Sequence, residues 1–318
     1  MRSFTIQKND SEQRLDKFLT KAVPLLPQGL LYKYIRLKRI KVNGKRTEIS
    51  YRLAIGDLVE LYINDEFFES VAATEKPAFL SAPADVEIVY EDDNLLLVNK
   101  PAGLVVHEDE SGSVDTLISR VLRYLYEKEI YDPAKEQSFI PALCNRIDRN
   151  TSGIVICAKN AATLRVMNDK IKNREINKYY QCLVFGCPQP HHKVLKAYMV
   201  KDSATNQVRV FDKPIKDGRT MITEYTVIET NKAYSLLDIQ LHTGRTHQIR
   251  AHLAYVGHPL LGDTKYGTNQ QNKGLPYRYQ ALCSYKLTFA FTTPAEHLDY
   301  LQGKTFALSK IPFSLPGI

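Results

Sequence analysis

An aspartate between two arginines, directly ahead of an apolar run, is the segment of this chain best suited to chemistry. In residues 145–153, Arg146 and Arg149 flank Asp148. The arginines favour the ionised carboxylate, because a nearby positive charge stabilises an anion. The apolar run at 154–158 predicts a buried strand, so a rigid element anchors the loop that carries Asp148. Such a carboxylate is suited to act as a nucleophile or base on a nucleic acid; the alternative is an ordinary structural ion pair.

A pair of tyrosines forms the second constellation. Lys178-Tyr179-Tyr180 starts a predicted strand, so the two rings must face opposite sides of a sheet. One ring can face a cleft and stack on an unpaired base, as aromatic residues do in RNA recognition. The alternative is that both belong to the core.

The third constellation is the His- and Arg-rich segment 242–253. It predicts a helix capped by Thr246, with Arg245 beside an anion site at the helix N-terminus and Arg250 one turn further on. Its three histidines are spaced by five and fall on different helix faces, and no Cys or acidic ligand completes a tetrahedral set, so we expect no metal site. Lys265, in the Gly-punctuated loop that follows, is available to a phosphate.

Motifs for nucleotide cofactors and for serine catalysis are missing from the sequence. It contains no Walker-type phosphate loop, no dinucleotide fingerprint and no Gly-x-Ser-x-Gly elbow. We therefore expect a site without cofactors, built from one aspartate, a tyrosine and arginines. Attack by a carboxylate on a nucleoside is one chemistry open to such a site, as glycosidases show for carbohydrates.

The positive charge of the chain is concentrated at its N-terminus. The formal net charge of the 318 residues is +8, and residues 1–64 hold thirteen Lys or Arg against six acidic residues. This distribution is typical of a protein that binds a polyanion, although a solvated basic surface is the alternative. The five cysteines are odd in number, which favours free thiols in a reducing compartment. With no signal peptide and no apolar run long enough to span a bilayer, we expect a cytoplasmic monomer without membrane contact.

Residues 1–64 predict a small RNA-binding domain. Ser11 can cap a first helix, a basic second helix runs from about Gly29 to Lys38, and Asn43-Gly44 predicts a hairpin. The segments 14–19, 41–44 and 56–59 resemble the S4 RNA-binding domain. The residues expected to contact RNA here are Lys33, Arg36, Lys38, Arg39 and Lys41.

The rest of the chain predicts a linker at 65–85, rich in Pro, small and acidic residues, and a second domain at 86–318. Its short strands and two or three helices do not alternate strictly, which favours an α+β fold over a doubly wound sheet. The predicted helices are near 116–128, 160–173 and 246–256. The predicted strands are near 87–90, 94–100, 154–158, 179–185, 196–200, 207–210, 223–228, 234–241 and 281–289.

Four ordered motifs of this second domain resemble the RluA-type pseudouridine synthases. They are Asn99-Lys100-Pro101-x-Gly103, Arg146-Ile147-Asp148-Arg149-x-Thr151-Ser152-Gly153, Lys178-x-Tyr180, and Gly244-Arg245-Thr246-His247-Gln248-Ile249-Arg250 followed by Gly262-Asp263-x-x-Tyr266. Ile147 stands where the family more often has leucine, and Leu282-Cys283-Ser284 departs from its common Leu-His-Ala run. With the basic module in front, the chain is most similar to the bacterial branch that modifies large-subunit ribosomal RNA.

The resemblance implies a pseudouridine synthase fold, with a mixed and mainly antiparallel sheet flanked by helices. It also implies conversion of uridine to its C-glycoside isomer, with Asp148 as the nucleophile on either C1′ or C6. By the same resemblance Arg250 pairs with Asp148, Tyr180 stacks on the flipped uracil, and Arg146 fills the gap left in the RNA; its partner is RNA. The ordinary pKa of tyrosine, about 10, is high for a base at neutral pH.

Several alternatives stay open. A non-catalytic ribosome-assembly factor would bind ribosomal RNA without turnover, and a synthase of the same family could act on transfer RNA instead. A nucleoside-cleaving hydrolase would release free uracil, and a metal-dependent enzyme would be inhibited by chelators.

Overall fold

The computed structural model describes residues 1–68, 76–108, 112–202 and 204–316. The N-terminal elements are β1 (Arg2–Thr5), α1 (Leu15–Ala22), α2 (Gln28–Arg36), β2 (Ile40–Val42), β3 (Lys45–Arg46) and β4 (Leu58–Leu61). The four strands form an antiparallel sheet in the order β1-β4-β2-β3. Both helices bury apolar residues in one cluster with this sheet, among them Phe18, Leu31 and Ile35.

The local signals of this N-terminal part are realised only in part. Asn43 and Gly44 have φ angles of 53° and 71°, as a two-residue hairpin turn requires, so the predicted hairpin is present. The predicted cap is wrong: Arg14 holds the N-cap position of α1 without a side-chain bond to the helix. The Ser11 hydroxyl instead donates to the carbonyl of Lys8 at 3.0 Å, closing a local turn.

The second part contains a large sheet with helices on both faces. Its elements are β5 (Glu87–Glu91), β6 (Leu95–Lys100), α3 (Leu117–Glu127), β7 (Ala142–Leu143), β8 (Ser152–Ala158), α4 (Ala161–Lys172), β9 (Ile176–Phe185), β10 (His192–Asp202), β11 (Gln207–Phe211), β12 (Arg219–Thr230), β13 (Tyr234–Leu241), α5 (Gln248–Tyr255), α6 (Asn269–Asn272), β14 (Leu282–Phe289) and β15 (Thr305–Ala307). The described strands follow the order β11-β10-β12-β13-β9-β14-β8-β6-β5, with β15 paired to β14 and β7 to β8. Because β14 and β8 are parallel while their neighbours are antiparallel, the predicted α+β fold with a mixed, mainly antiparallel sheet is confirmed.

The middle strands of this sheet are apolar on both faces because helices cover both. On β6, Leu96 and Val98 join the core cluster that contains residues of α3 and α5. Leu95 and Leu97 join the cluster that contains residues of α4 and the helical turn Glu296–Leu301. Every residue of β8 is buried in the same way, which explains its continuous apolar run.

Two helices begin where the sequence predicted. The side chains of Thr116 and Asn160 each accept a hydrogen bond from a backbone N–H in the first turn of α3 and α4. α3 has 11 residues and α4 has 12. Within the described ranges, no helix combines the length and the apolar character needed to cross a bilayer.

Gly153 allows β8 to approach β14 closely. Its φ angle is 117°, and an added Cβ would lie 2.3 Å from the carbonyl oxygen of Ser284, so no other residue fits without a shift. In the parallel register, Gly153 faces Ser284. Because β14 also pairs with β9, this contact brings the loop that enters β8 close to β9.

The predicted linker at 65–85 lies partly outside the described residues, which omit 69–75. In its described part, the helical turn Ala78–Ser81 carries a buried Phe79. The Phe79 ring lies 6.0 Å from the ring of Tyr126 and 6.1 Å from that of Tyr131, so the main core includes this segment. The boundaries at 64 and 86 stay predictions.

Candidate active site

Asp148 lies in the loop that enters β8, and hydrogen bonds hold this loop at both ends. The N–H of Thr151 donates to the Asp148 carbonyl at 3.0 Å. The side-chain oxygen of Asn145 accepts from the N–H of Ile156 at 2.8 Å, inside β8. The Asp148 side chain is 26% exposed, so its carboxylate is open to a cleft while its backbone is fixed.

Lys100 forms hydrogen bonds to the same loop from inside the protein. Its fully buried ammonium donates to the carbonyls of Pro101, Leu104 and Arg149 at 2.9, 2.7 and 2.8 Å. Three acceptors match the three hydrogens of an ammonium group. Burial lowers the pKa of Lys100 to about 7, and the negative charge of Asp148 acts in the opposite direction. Lys100 therefore joins the segment 101–104 to the residue that follows Asp148.

Arg250 lies between two carboxylates. Its Nη1 donates to Asp148 Oδ2 at 3.0 Å, while its Nε and Nη2 donate to the two oxygens of Asp263 at 2.7 and 3.0 Å. Burial opposes the charged form of Arg250, but the hydrogen bonds and the charges of Asp263 and Asp148 raise its pKa. The Arg250 side chain is 8% exposed and that of Asp263 is 0% exposed. Asp263 thus aims a permanently charged guanidinium at Asp148.

The arginines beside Asp148 in the sequence are not its ion-pair partners. Among the described residues, the cations within 4.0 Å of its carboxylate are Arg250 and His247, the latter charged only when protonated. Arg146 and Arg149 are exposed, and Arg149 Nε donates to the carbonyl of Gly103 at 3.2 Å. Arg146 and Arg149 line the same cleft without forming an ion pair with Asp148, and the cation that pairs with it is Arg250 of α5. That the two neighbours stabilise the carboxylate stays a prediction.

The two tyrosines of β9 face opposite sides of the sheet. Tyr180 is 7% exposed and lines the cleft that contains Asp148. Tyr179 lies on the other face, where Lys286 Nζ is 4.2 Å from its ring centroid. Burial raises the pKa of Tyr180 to about 12, with a smaller opposite effect from the hydroxyl of Ser284. The Tyr180 phenol is therefore a poor proton acceptor at neutral pH, while its ring is placed for stacking.

The seven residues predicted for the second domain line one cleft of about 1330 Å³: Asp148, Tyr180, Arg250, Arg146, Arg149, Arg245 and Lys265. In the part of the chain that is described, ten Lys or Arg and three acidic residues line this cleft. Its electrostatic character is therefore strongly positive and suits a polyanionic ligand.

The predicted anion site at the start of the third helix is different in the structure. α5 begins at Gln248, and His247 holds the N-cap position in a left-handed conformation with φ at 52°. Thr246 does not cap the helix, because the chain turns one residue later than predicted. The helix therefore lacks the side-chain cap expected there.

Arg245 and Lys265 reach the cleft with part of their hydrogen-bonding capacity already used. Arg245 Nε donates weakly, at 3.5 Å, to the carbonyl of Thr220. Lys265 Nζ donates to the carbonyl of Asn206 at 2.9 Å. Both keep further N–H groups for a phosphate.

The predicted RNA-binding residues of the N-terminal part lie on α2, in the turn after it and on β2, and they do not line the cleft. Four are exposed and Lys41 is half-buried. Arg39 lies over the ring of Tyr34 at 5.5 Å and Lys41 over that of Tyr62 at 5.1 Å. In the described ranges, no acidic side chain lies within 4.0 Å of these five cations: Lys33, Arg36, Lys38, Arg39 and Lys41.

The three histidines of segment 242–253 have three different surroundings. His242 Nε2 lies 2.7 Å from a Glu224 oxygen, His247 faces the cleft, and His252 is buried against Thr223 at 3.0 Å. Burial lowers the pKa of His252 to about 4. Over the described residues, no group of three or more His, Cys, Asp or Glu is arranged to hold a metal ion.

Three residues left without a role by sequence reasoning complete the site: Asp263, Tyr266 and His247. Tyr266 lies under the Arg250 guanidinium, 5.3 Å from ring centroid to Cζ, and its hydroxyl lies 2.9 Å from His247 Nδ1. Asp263 Oδ1 also accepts from the N–H groups of Lys265 and Tyr266 at 2.9 and 3.1 Å. In the sequence, the motif Gly262-Asp263-x-x-Tyr266 was the available signal for Asp263 and Tyr266. The motif does not reveal that both residues contact Arg250.

Comparison with known families gives two matches. Residues 94–255 match the family described as RNA pseudouridylate synthase, and residues 13–59 match the S4 domain. An uncharacterised RNA pseudouridine synthase of Mycoplasma genitalium is 33% identical over 298 residues, covering 90% of this chain and 88% of the relative. The ribosomal large subunit pseudouridine synthase C of Vibrio parahaemolyticus is 34% identical over 269 residues, covering 82% and 79%.

Solved structures share the fold. Human RNA pseudouridylate synthase domain containing 4 aligns with a TM-score of 0.56 at 20% identity, covering 71% of this chain and 88% of that one. Human RNA pseudouridylate synthase domain containing 1 aligns with a TM-score of 0.54 at 22% identity, covering 75% and 94%.

Proposed function

This chain belongs to the RNA pseudouridine synthase family, and we propose that it uses Asp148 as the nucleophile on uridines of large-subunit ribosomal RNA. The observation that carries the proposal is the Asp148–Arg250 pair, 3.0 Å apart, in a basic cleft that Tyr180 also lines. The ribosomal substrate is suggested by the name of the relatives from Vibrio. The cytoplasmic location and monomeric state stay predictions.

The proposed reaction isomerises the nucleotide without consuming water. A carboxylate oxygen of Asp148 attacks C1′ of the ribose or C6 of the uracil, and the bond between C1′ and N1 breaks. The detached base rotates and rejoins C1′ through C5, and the ester to Asp148 breaks. N1 then gains a proton and C5 loses one, so the product has the composition of the substrate.

The other cleft residues serve this attack. Arg250 holds Asp148 Oδ2 and provides the positive charge beside it in a partly closed site. Tyr180 offers an aromatic face for the flipped uracil. A uridine inside a helix must be extruded before its atoms can be reached, which costs a few kcal/mol. The exposed Arg146 fills the space that the flipped base leaves, and Arg149, Arg245 and Lys265 contact phosphates.

An assay of tritium release tests the reaction class. Purified protein is incubated with large-subunit ribosomal RNA transcripts that carry tritium at C5 of uridine, and with transfer RNA transcripts as the comparison. We expect tritium to enter the solvent from the ribosomal RNA, because C5 loses its hydrogen, and no free uracil to form. Release of uracil would identify a hydrolase, turnover on transfer RNA alone would overturn the ribosomal assignment, and RNA binding without release would indicate an assembly factor.

The N-terminal basic residues are proposed to add affinity and not catalysis. Replacing Lys33 and Arg36 on α2 by alanine should raise KM and leave kcat unchanged, since these exposed cations lie outside the cleft. Each lost phosphate contact should reduce the slope of log affinity against log salt by about 1. Alanine at Lys135 and Lys310, which are exposed cations of the second part, is the matched control. This role would be contradicted if the α2 variant and the control variant had equal slopes of log affinity against log salt. A fall in kcat for the α2 variant would contradict it as well.

A further inference from the structure

His247 adopts a backbone conformation that is rare for residues other than glycine. Its φ angle of 52° lies in the left-handed region, where most non-glycine residues are disfavoured. Its side chain does not cap α5, so helix capping does not account for this conformation. Residues held in such conformations are found preferentially at functional sites.

The imidazole of His247 faces the Asp148 carboxylate from the same side as Arg250. Its Nε2 lies 4.0 Å from Asp148 Oδ2, the oxygen that also accepts from Arg250 Nη1 at 3.0 Å. Asp148 Oδ1 accepts no hydrogen bond from the described residues. Arg250 therefore binds one oxygen of the carboxylate, His247 lies near the same oxygen, and the other oxygen is left for attack.

Tyr266 contacts the ring nitrogen of His247 that faces away from Asp148. The N–H of Val208 donates to the Tyr266 hydroxyl oxygen at 2.9 Å. Among the described residues, the acceptor within reach of the Tyr266 hydroxyl hydrogen is His247 Nδ1, at 2.9 Å. When the Tyr266 hydroxyl donates to Nδ1, a neutral imidazole carries its hydrogen on Nε2, which faces Asp148.

We propose that His247 is a positioning residue whose neutral Nε2–H closes on Asp148 Oδ2 when the nucleotide binds, with its tautomer held by Tyr266. This inference rests on the proposed role of Asp148 as nucleophile. The contact of 4.0 Å needs to shorten by about 1 Å to become a hydrogen bond, and hydrogen bonds of catalytic sites often tighten when substrate binds. The donor then restrains the carboxylate so that Oδ1 points at the sugar or the base.

The surroundings of His247 favour the neutral ring. Burial lowers its pKa, Asp148 and Asp263 raise it, and Arg250 and Lys265 lower it further. A protonated ring would lose the hydrogen bond from Tyr266 and would pair with the nucleophile, making the carboxylate less reactive. Activity should therefore be present above the pKa of His247 and fall as the pH drops through it. Because this pKa is lowered, the fall should occur below the ordinary value of about 6.5.

The variants His247→Gln, His247→Ala and Tyr266→Phe separate a positioning role from a structural one. His247→Gln keeps a neutral donor near the Nε2 position and should retain most of kcat, while its acid limb moves to lower pH. His247→Ala should lose about 10- to 100-fold in kcat at unchanged KM, because misplacing a reacting group by about 1 Å can lower a rate 100-fold. Tyr266→Phe, which keeps the ring under Arg250, should lose kcat in the wild-type background and little more in the His247→Gln background.

His192→Gln and Tyr255→Phe, at exposed positions, serve as matched controls and should behave as wild type. Parallel losses of melting temperature and kcat in His247→Gln and His247→Ala, with an unchanged pH profile, would overturn the proposal in favour of a structural role. Wild-type kcat in both His247→Ala and Tyr266→Phe would overturn it as well. Asp148→Asn is measured alongside: if it is inactive, such results remove only the role of His247, whereas an active Asp148→Asn removes the proposed nucleophile itself.

Discussion

Replacing Asp148 by asparagine should abolish pseudouridine formation in a protein that still binds RNA. The amide has nearly the shape of the carboxylate but is neutral and cannot form the ester that the proposed reaction requires. Loss of a covalent nucleophile lowers kcat by about 10⁴-fold or more. Single-turnover tritium release from C5-labelled RNA measures the loss, and a filter-binding titration measures the affinity.

The fold should tolerate this change. Arg250 loses one anionic partner but keeps both hydrogen bonds to Asp263, so its guanidinium stays paired. Asp217→Asn is the control, because Asp217 also lines the cleft and forms no ion pair with a described residue within 4.0 Å. Because asparagine can deamidate to aspartate and restore the nucleophile, Asp148→Ala is measured as a second variant that cannot revert in this way. Turnover by either Asp148 variant within tenfold of wild type would contradict the nucleophile assignment.

Local sequence patterns were enough to predict five of the six described α-helices, all but the short α6, and most of the strands. Thr116 and Asn160 accept hydrogen bonds at helix starts, and Asn43-Gly44 forms a hairpin, because these features depend on neighbouring residues alone. The order of the strands could not be read in this way. The parallel contact of Gly153 with Ser284 joins residues 131 positions apart, and nothing in either segment specifies the other.

The site follows the same division between local and long-range features. The family resemblance implied that Asp148, Tyr180 and Arg250 share one site, and all three line one cleft although 102 residues separate Asp148 from Arg250. The motifs contain Asp263 and Lys100, but the sequence does not show which groups these two side chains bind. Their roles depend on burial against partners that only the folded chain supplies.

The difference between an exposed and a buried ion pair leads to the second large effect, at Asp263. Asp263→Asn should destabilise the fold and lower kcat together. It would replace the anionic partner of a buried guanidinium by a neutral amide, and removing one member of a buried pair costs about 3–5 kcal/mol. Arg250 would then turn towards Asp148 or leave its place, and a displacement of about 1 Å can lower the rate about 100-fold. Urea unfolding measures the loss of stability. Single-turnover kinetics without denaturant, at a temperature well below the thermal transition, measures the loss of kcat.

Asp115→Asn provides a control with the same geometry but a different environment. Asp115 binds Arg120 through both oxygens, at 2.6 and 2.9 Å, yet its side chain is 43% exposed, so water replaces the lost charge. Its loss should change stability by about 1 kcal/mol or less and leave kcat unchanged. Asp263→Glu keeps the charge and should retain more of both properties than Asp263→Asn. If Asp263→Asn unfolds no earlier than Asp115→Asn and turns over at the wild-type rate, then Asp263 does not hold Arg250 in its catalytic position, and the guanidinium must be placed by Tyr266 and the α5 backbone instead.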